Sequence, residues 1–368
     1  AYLDQYSPSP VQAKVAHNIM NCKTGAYGAN VCVCEDCGFV QIHYNSCRNR
    51  CCPMCQAVPK EMWMDARRED VLDAPYFHLV FTVPDILNPV IYSNQRLLYD
   101  ALYHAASSTI SELTADPKHL GAKVGYICIL HTWGSEMNFH PHIHTILLGG
   151  GLASNNQWKD NGENFFLPIR VISKMFRGKY LEELKRLWEE DKLVFHGTAE
   201  KFRNHYTFKE LLDSCYGMDW IPHCKKTFNG AQTVIKYLGK YTHRIAVSNH
   251  RIVRMDDDTV TFLVKDYRNE GQWKELTISG VEFVRRFLMH VPPRRFVRIR
   301  HYGLLCSRTK SQKLTLCRNL LGCKKYLSKL RDMEMPEILE HLYGIKVCVC
   351  KACGGHLGKP QMRMPLRC

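Results

Sequence analysis

The sequence predicts an α+β fold. Its centre is a split β-α-β antiparallel sheet with helices, between a metal-organised N-terminal module and a basic C-terminal region. Three observations carry this. Between Tyr76 and Gly151 a strand-like run, a long helical run and two more strand-like runs follow one another, the opening of a split β-α-β module with an antiparallel central pair. Eight cysteines crowd between Cys22 and Cys55, partly as CxxC pairs. From Phe283 to Lys325 there are twelve Lys or Arg residues and no Asp or Glu.

The elements follow in chain order. Residues 1 to about 60 hold the cysteine cluster with little apolar periodicity, so bound metal rather than a core is expected to organise them. "YFHLVFTV" (Tyr76–Val83) is β-branched and aromatic and stops at Pro84, a strand signal. Ser93–Leu113 has a Ser N-cap candidate and apolar residues at helical spacing, and it ends before Asp116-Pro117. Val124–Gly134 and "FHPHIHTILLGGG" (Phe139–Gly151) read as a second and third strand joined as a hairpin. An irregular insertion follows, with a helix expected at Lys179–Lys192. Asn229–Ser248 begins as an amphipathic helix interrupted by Gly239, with a strand expected near Ile245. Thr259–Tyr267 and Trp273–Ser279 form a second hairpin. No internal repeat or low-complexity linker is read. The expected domains are 1–60 (zinc-binding), 61–250 (catalytic, with an insertion at about 151–228) and 251–368 (basic, with a small Cys-rich tail).

With 368 residues, 45% hydrophobic and 23% charged, the composition is that of a globular protein. No run approaches the roughly 18 apolar residues of a membrane span, and the N-terminus has no secretory h-region. A cytoplasmic, reducing address is expected, with no membrane partner. The net charge of +15 favours a polyanion, nucleic acid first and an acidic membrane surface second. Within the basic stretch, Arg294, Arg295, Arg298 and Arg300 are the candidate phosphate contacts.

The strongest local signal is metal binding. Cys34-x-x-Cys37 and Cys52-x-x-Cys55 lie 14 residues apart, close to the spacing of a four-thiolate zinc site. Cys22, Cys47 and Cys51, with Cys32, His17 and His43 nearby, are enough for a second zinc. A redox dithiol is the alternative, disfavoured by two matched pairs without a thioredoxin-like pattern. The tail's Cys348, Cys350, Cys353, His356 and Cys368 are a further candidate group.

His140, His142 and His144 fall at every second position, so a strand places the three rings on one face. They read either as ligands of a divalent cation or as half-buried structural histidines. Tyr237 and Tyr241, four apart, share one helix face. They read either as core residues or as nucleophiles. A cation held by histidines can polarise a phosphodiester for attack by a tyrosine, and Lys236, Lys240 and Arg244 are near enough to hold phosphates.

His-hydrophobic-His on a strand followed by Tyr-x-x-x-Tyr on a helix resembles the HUH superfamily of single-strand endonucleases. "YNSCRNRCCPMCQ", "FHLVFTVPDILNP", "HPHIHTILLGGG", "YLGKYTHRIAVSNHRI" and "RIRHYGLL" together resemble the two-tyrosine rolling-circle transposases of bacterial insertion-sequence family ninety-one. The chain departs from that family at Cys51, where members often have His. The resemblance implies an HUH core, His142 and His144 as the motif ligands, and Tyr237 and Tyr241 as nucleophiles. It also implies an N-terminal zinc domain, Mg²⁺ or Mn²⁺ at the strand site, and single-stranded element ends and target DNA as partners. It leaves the third ligand open among His140, Glu136 and Gln232. The implied reaction cleaves and rejoins DNA through 5′-phosphotyrosine links. A non-catalytic zinc-finger binding protein and a rolling-circle replication initiator are the alternatives.

Overall fold

A computed structural model describes residues 1–161, 167–220, 222–228, 233, 234, 237, 239, 245–266 and 269–363. Among them are twelve strands: β1 (Ala29–Val33), β2 (Val40–Tyr44), β3 (Tyr76–Thr82), β4 (Lys123–Trp133), β5 (Phe139–Leu152), β6 (Trp158–Asp160), β7 (His223–Phe228), β8 (Ile252–Met255), β9 (Thr259–Asp266), β10 (Gln272–Ser279), β11 (Ile299–Gly303) and β12 (Gln361–Arg363). The architecture is α+β with antiparallel sheets. A central sheet runs β11-β4-β5-β3-β7, with β6 paired to β5. A three-stranded sheet β12-β1-β2 and another, β10-β9-β8, accompany it. No helix among the described residues is long and apolar enough to cross a membrane.

The pleat gives the central sheet two different faces. Phe77, Leu79 and Phe81 of β3, Ile143 and Leu147 of β5, and Tyr126, Cys128 and Leu130 of β4 point into the main core. There they meet the helices Gln95–Ala115 and Ile169–Glu189 through fully buried Tyr99, Tyr103, Phe176 and Tyr180. Each such side chain contributes about 1.5–3 kcal/mol by leaving water. The other face carries His142, His144 and Ile146, and it packs on a second cluster with Val234, Tyr237, Trp63 and Met64. The site therefore lies on a sheet made rigid from behind.

Three expectations shift in detail. Ser93 ends the short helix Asn88–Ser93, and the long helix begins at Gln95. The insertion helix starts ten residues earlier than expected, at Ile169. Ile245–Ser248 is not a strand, while the rest of Asn229–Ser248 lies largely outside the described residues. The two hairpins form: β4 and β5 pair with His131 opposite His142, and β9 and β10 pair from Thr259–Ser279 to Asp266–Gln272. The sequence beyond 251, set apart in the expectation, supplies β11 to the central sheet and β12 to the N-terminal one.

The glycines ending β5 have a steric reason. A Cβ on Gly150 would lie 2.4 Å from the Trp158 ring, and one on Gly151 would lie 2.4 Å from the Lys123 carbonyl oxygen. Between β4 and β6 there is no room for side chains.

Candidate metal centre and its tyrosine

Three histidines converge on one point. His131 of β4 and His142 and His144 of β5 are buried, and one ring nitrogen of each lies within 4.8 Å of the others. His142 Nε2 and His144 Nε2 are 3.0 Å apart, about the separation of two nitrogens sharing one ion at Zn–N-like distances of roughly 2.0–2.1 Å. The opposite nitrogens are engaged. His142 Nδ1 lies 2.7 Å from the His140 carbonyl oxygen and so donates to it, and His144 Nδ1 lies 2.9 Å from His78 Nε2. With both Nδ1 atoms protonated, both Nε2 lone pairs point toward one another, where a cation would be held, the arrangement that orients histidine ligands generally. The donor set fits a divalent metal.

The set differs from the one expected. His140 shares the strand face but lies outside the cluster. Its Nδ1 pairs with Asp85 at 3.1 Å near the surface, and its carbonyl positions His142. A register shift between His131 and Trp133 precedes this stretch, and Pro141 follows His140. His131, from the neighbouring strand, occupies the third position. Glu136 is exposed in the β4–β5 turn, outside the cluster, and Gln232 lies outside the described residues.

Tyr237 reaches this cluster through a residue the sequence reading passed over. Its phenol oxygen is 2.6 Å from His78 Nε2 and 3.0 Å from His78 Nδ1, with ring centroids 4.6 Å apart. When His144 ligates through Nε2, its Nδ1–H donates to His78 Nε2, and His78 Nδ1–H then faces the phenol oxygen. A donor there fixes the direction of the phenol oxygen. His78 and His131 each stand in a largely apolar strand, and a buried polar ring in such a place is a signal in itself. Gly239, read from sequence as a helix imperfection, is where this helical stretch approaches the helix Ala57–Arg68. A Cβ there would meet the Met64 side chain, which would have to move aside to admit it. Tyr241, Lys236, Lys240 and Arg244 lie outside the described residues.

Burial holds these imidazoles neutral. It pushes His78 down to about 3 and His142 to about 4, and it pushes His144 well below the usual histidine value. Neutral rings are what a cation requires. The metal-free folded state binds fewer protons than the unfolded one between about pH 6.5 and 4, so stability rises with pH across that window. Acidification should therefore cost about 1.4 kcal/mol per pH unit for each such ring. A thermal midpoint of the metal-free protein that falls steeply from pH 6.5 to 4 is the expected result; a flat profile would mean that the rings are already solvated.

The cysteines group differently from the expected set. Cys34, Cys37, Cys52 and Cys55 do not share a site. Cys52 and Cys55 join Cys22 and Cys47, with Cys22–Cys55 and Cys47–Cys55 sulfurs 3.4 and 3.6 Å apart. Tetrahedral Zn–S bonds of about 2.3 Å put sulfurs roughly 3.8 Å apart, so this quartet fits one zinc. Cys51, beside Cys52, points away into an apolar cluster with Val15 and Val247. Cys34 and Cys37 lie instead beside Cys350 and Cys353. Cys348 and His356 are outside both quartets, and Cys368 is outside the described residues.

The four arginines also divide. Arg294 and Arg295 are exposed and line a groove with Lys14 and Arg50. Arg300 is ion-paired to Asp100 with its guanidinium 4.0 Å above the Tyr103 ring, and Arg298 lies over Trp133 at 5.6 Å. The second pair holds the protein to itself.

Comparison with known proteins gives consistent matches. Residues 125–313 match the family described as "Putative transposase", and residues 1–83 match the IS91 "Transposase zinc-binding domain". The chain is 40% identical over 357 residues to "Putative transposase y4qJ" of Sinorhizobium fredii, covering 96% of this chain and 90% of that one. It is 30% identical over 309 residues to the transposase for insertion sequence element IS801 of Pseudomonas savastanoi pv. phaseolicola, covering 83% and 72%. A metal-bound structure of the conjugative relaxase TrwC with oriT DNA overlaps 45% of this chain and 69% of that one, at 14% identity and a TM-score of 0.26. A likeness that distant carries no argument.

Proposed function

The chain belongs to the IS91 family of transposases and carries its zinc-binding domain, and on that premise we propose that it cleaves and rejoins single-stranded DNA at element ends through phosphotyrosine intermediates. The observation that supports this most is the contact chain His144 Nδ1–His78 Nε2 and His78 Nδ1–Tyr237 oxygen, at 2.9 and 3.0 Å. It joins a candidate nucleophile to a three-imidazole centre on one sheet face.

His131, His142 and His144 would hold a divalent cation, Mg²⁺ or Mn²⁺; an all-imidazole set suits Mn²⁺ better of the two. Such an ion, when bound, polarises a phosphodiester oxygen and offsets charge developing on phosphorus. The protein's own part is positional. His78 fixes the phenol and donates toward its oxygen, and the buried sheet holds the rings still. The Tyr237 phenol gives its proton to water and its oxygen attacks phosphorus; the bond from phosphorus to the 3′-oxygen breaks, and that oxygen takes a proton from water and leaves as a 3′-hydroxyl. The 5′-phosphate remains esterified to tyrosine, so the diester energy is kept for rejoining. Tyr241 is proposed as the second nucleophile, which attacks while the first link is held. Arg294 and Arg295 are proposed phosphate contacts along the groove with Lys14.

A 5′-labelled and a 3′-labelled single-stranded oligonucleotide spanning an element end, incubated with protein and Mn²⁺, test this. The expected result is protein covalently attached to the 5′ end of the downstream fragment and a free 3′-hydroxyl on the upstream one. Binding without any covalent species would leave a zinc-dependent binding protein.

A further inference from the structure

We propose that Cys34, Cys37, Cys350 and Cys353 form a second tetrathiolate zinc site, which fastens the C-terminal segment to the N-terminal sheet. The zinc-domain match ends at residue 83 and covers half of this donor set.

The two halves are built alike. "VCVCEDCG" (Val31–Gly38) and "VCVCKACG" (Val347–Gly354) are identical at six of eight positions, a short repeat that the sequence reading missed. Each folds into the same turn. Cys34 N–H donates to the Phe39 carbonyl at 2.9 Å and Cys350 N–H to the Gly355 carbonyl at 2.8 Å, the same five-residue step. Gly38 N–H donates to the Cys34 carbonyl and Gly354 N–H to the Cys350 carbonyl, both at 3.0 Å. Gly38 and Gly354 have φ of 70° and 79°, the left-handed region where glycine is unstrained. Two such turns, each presenting a Cys-x-x-Cys pair, are the parts of a four-thiolate zinc site.

The halves also face each other correctly. Cys34 and Cys353 sulfurs are 3.5 Å apart, and Cys37 and Cys350 sulfurs are 3.8 Å apart, against roughly 3.8 Å for thiolates around one zinc. All four sulfurs lie within 4.8 Å of one another, and all four cysteines are free thiols. In the tail turn the Ala352 and Gly355 N–H groups, each 3.4 Å from a sulfur, donate to Cys350 and Cys353. Such bonds favour thiolate.

The surroundings hold the tail in this pose. β12 pairs antiparallel with β1, Cys34 bridges to Leu357, and Gly358 N–H donates to the Val33 carbonyl at 2.9 Å. Cys32, Cys34, Cys350 and Leu357 form a small apolar cluster. His356 N–H donates to the Asp36 carboxylate at 3.1 Å, where a Cβ on Gly355 would collide with it. Three short strands and four apolar residues make a thin core, the situation in which metal usually supplies the missing stability.

The test uses full-length protein reconstituted with Co²⁺, because thiolate-to-cobalt charge transfer reports sulfur ligands and ignores the histidine centre. The wild type should show two thiolate-bound equivalents. Cys350→Ser/Cys353→Ser and, separately, Cys34→Ser/Cys37→Ser should each lose the same single equivalent, and the quadruple variant should lose no more than either pair. Each should also become cleavable by protease just before Cys348, while Cys52→Ser/Cys55→Ser removes the other equivalent. Additive loss of two equivalents in the quadruple variant would show separate sites and overturn the proposal. So would an unchanged charge-transfer band in both double variants.

Discussion

Replacing Tyr237 and Tyr241 together by Phe should leave DNA binding within about twofold of wild type, while the covalent protein–DNA species falls by at least about a thousandfold, since the attacking oxygen is gone. Tyr237 is half-buried against the second core cluster, and Phe keeps that packing. The lost hydrogen bond to His78 costs about 1 kcal/mol, so the variant should stay folded by circular dichroism. Denaturing gels of labelled oligonucleotide separate the readouts. Each single variant should retain some first-strand cleavage but fail to complete strand transfer. An adduct that survives the double substitution places the nucleophile elsewhere. If only one single variant matters, the other phenol is packing.

The second large effect separates His131 from His140. His131→Ala, His142→Ala and His144→Ala should each reduce metal-dependent cleavage by about a thousandfold or more, as loss of a direct ligand does. His140→Ala should cost about tenfold at most, because the His140 group that touches the centre is its backbone carbonyl. Initial cleavage rates against Mn²⁺ concentration give the comparison. Equal losses for His131→Ala and His140→Ala would mean that the strand face, not the converging nitrogens, defines the centre.

The legible parts of this molecule were those written in local periodicity. Tyr76–Thr82, Lys123–Trp133 and Phe139–Leu152 alternate or stay apolar over strand length, and turn residues stop them. Alternation alone put His142 and His144 on one face, and helical spacing singled out Tyr237. What local pattern does not carry is register between strands. His131 becomes a ligand candidate because it pairs with His142 across β4 and β5, and His78 stands beside the centre because it lies on β3 two residues from Val80, the partner of His144. No short window contains those facts. Thiolate partnering fails for the same reason. Cys34 and Cys37 have a plausible match 14 residues on and a better one more than 300 residues on, and only the fold chooses. Arg298 and Arg300 show the opposite failure. A run of positive charge predicts a surface, yet a strand sends alternate side chains inward, where Arg300 found Asp100 and an aromatic ring.

The pairing of β12 with β1 also sets an order of events during synthesis. Cys22, Cys47, Cys52 and Cys55 leave the ribosome close together, so their site can close early. Cys37 must wait for Cys350, 313 residues later. At roughly 5–20 residues per second this delay is about 15–60 s. Through that interval β1 has an unpaired edge and two thiols without their partners, the kind of edge on which another chain can pair. A chain that stalls or is cut short never covers it. Arrival of residues 361–363 is thus registered at β1, and a product that stops short of them carries an open edge there.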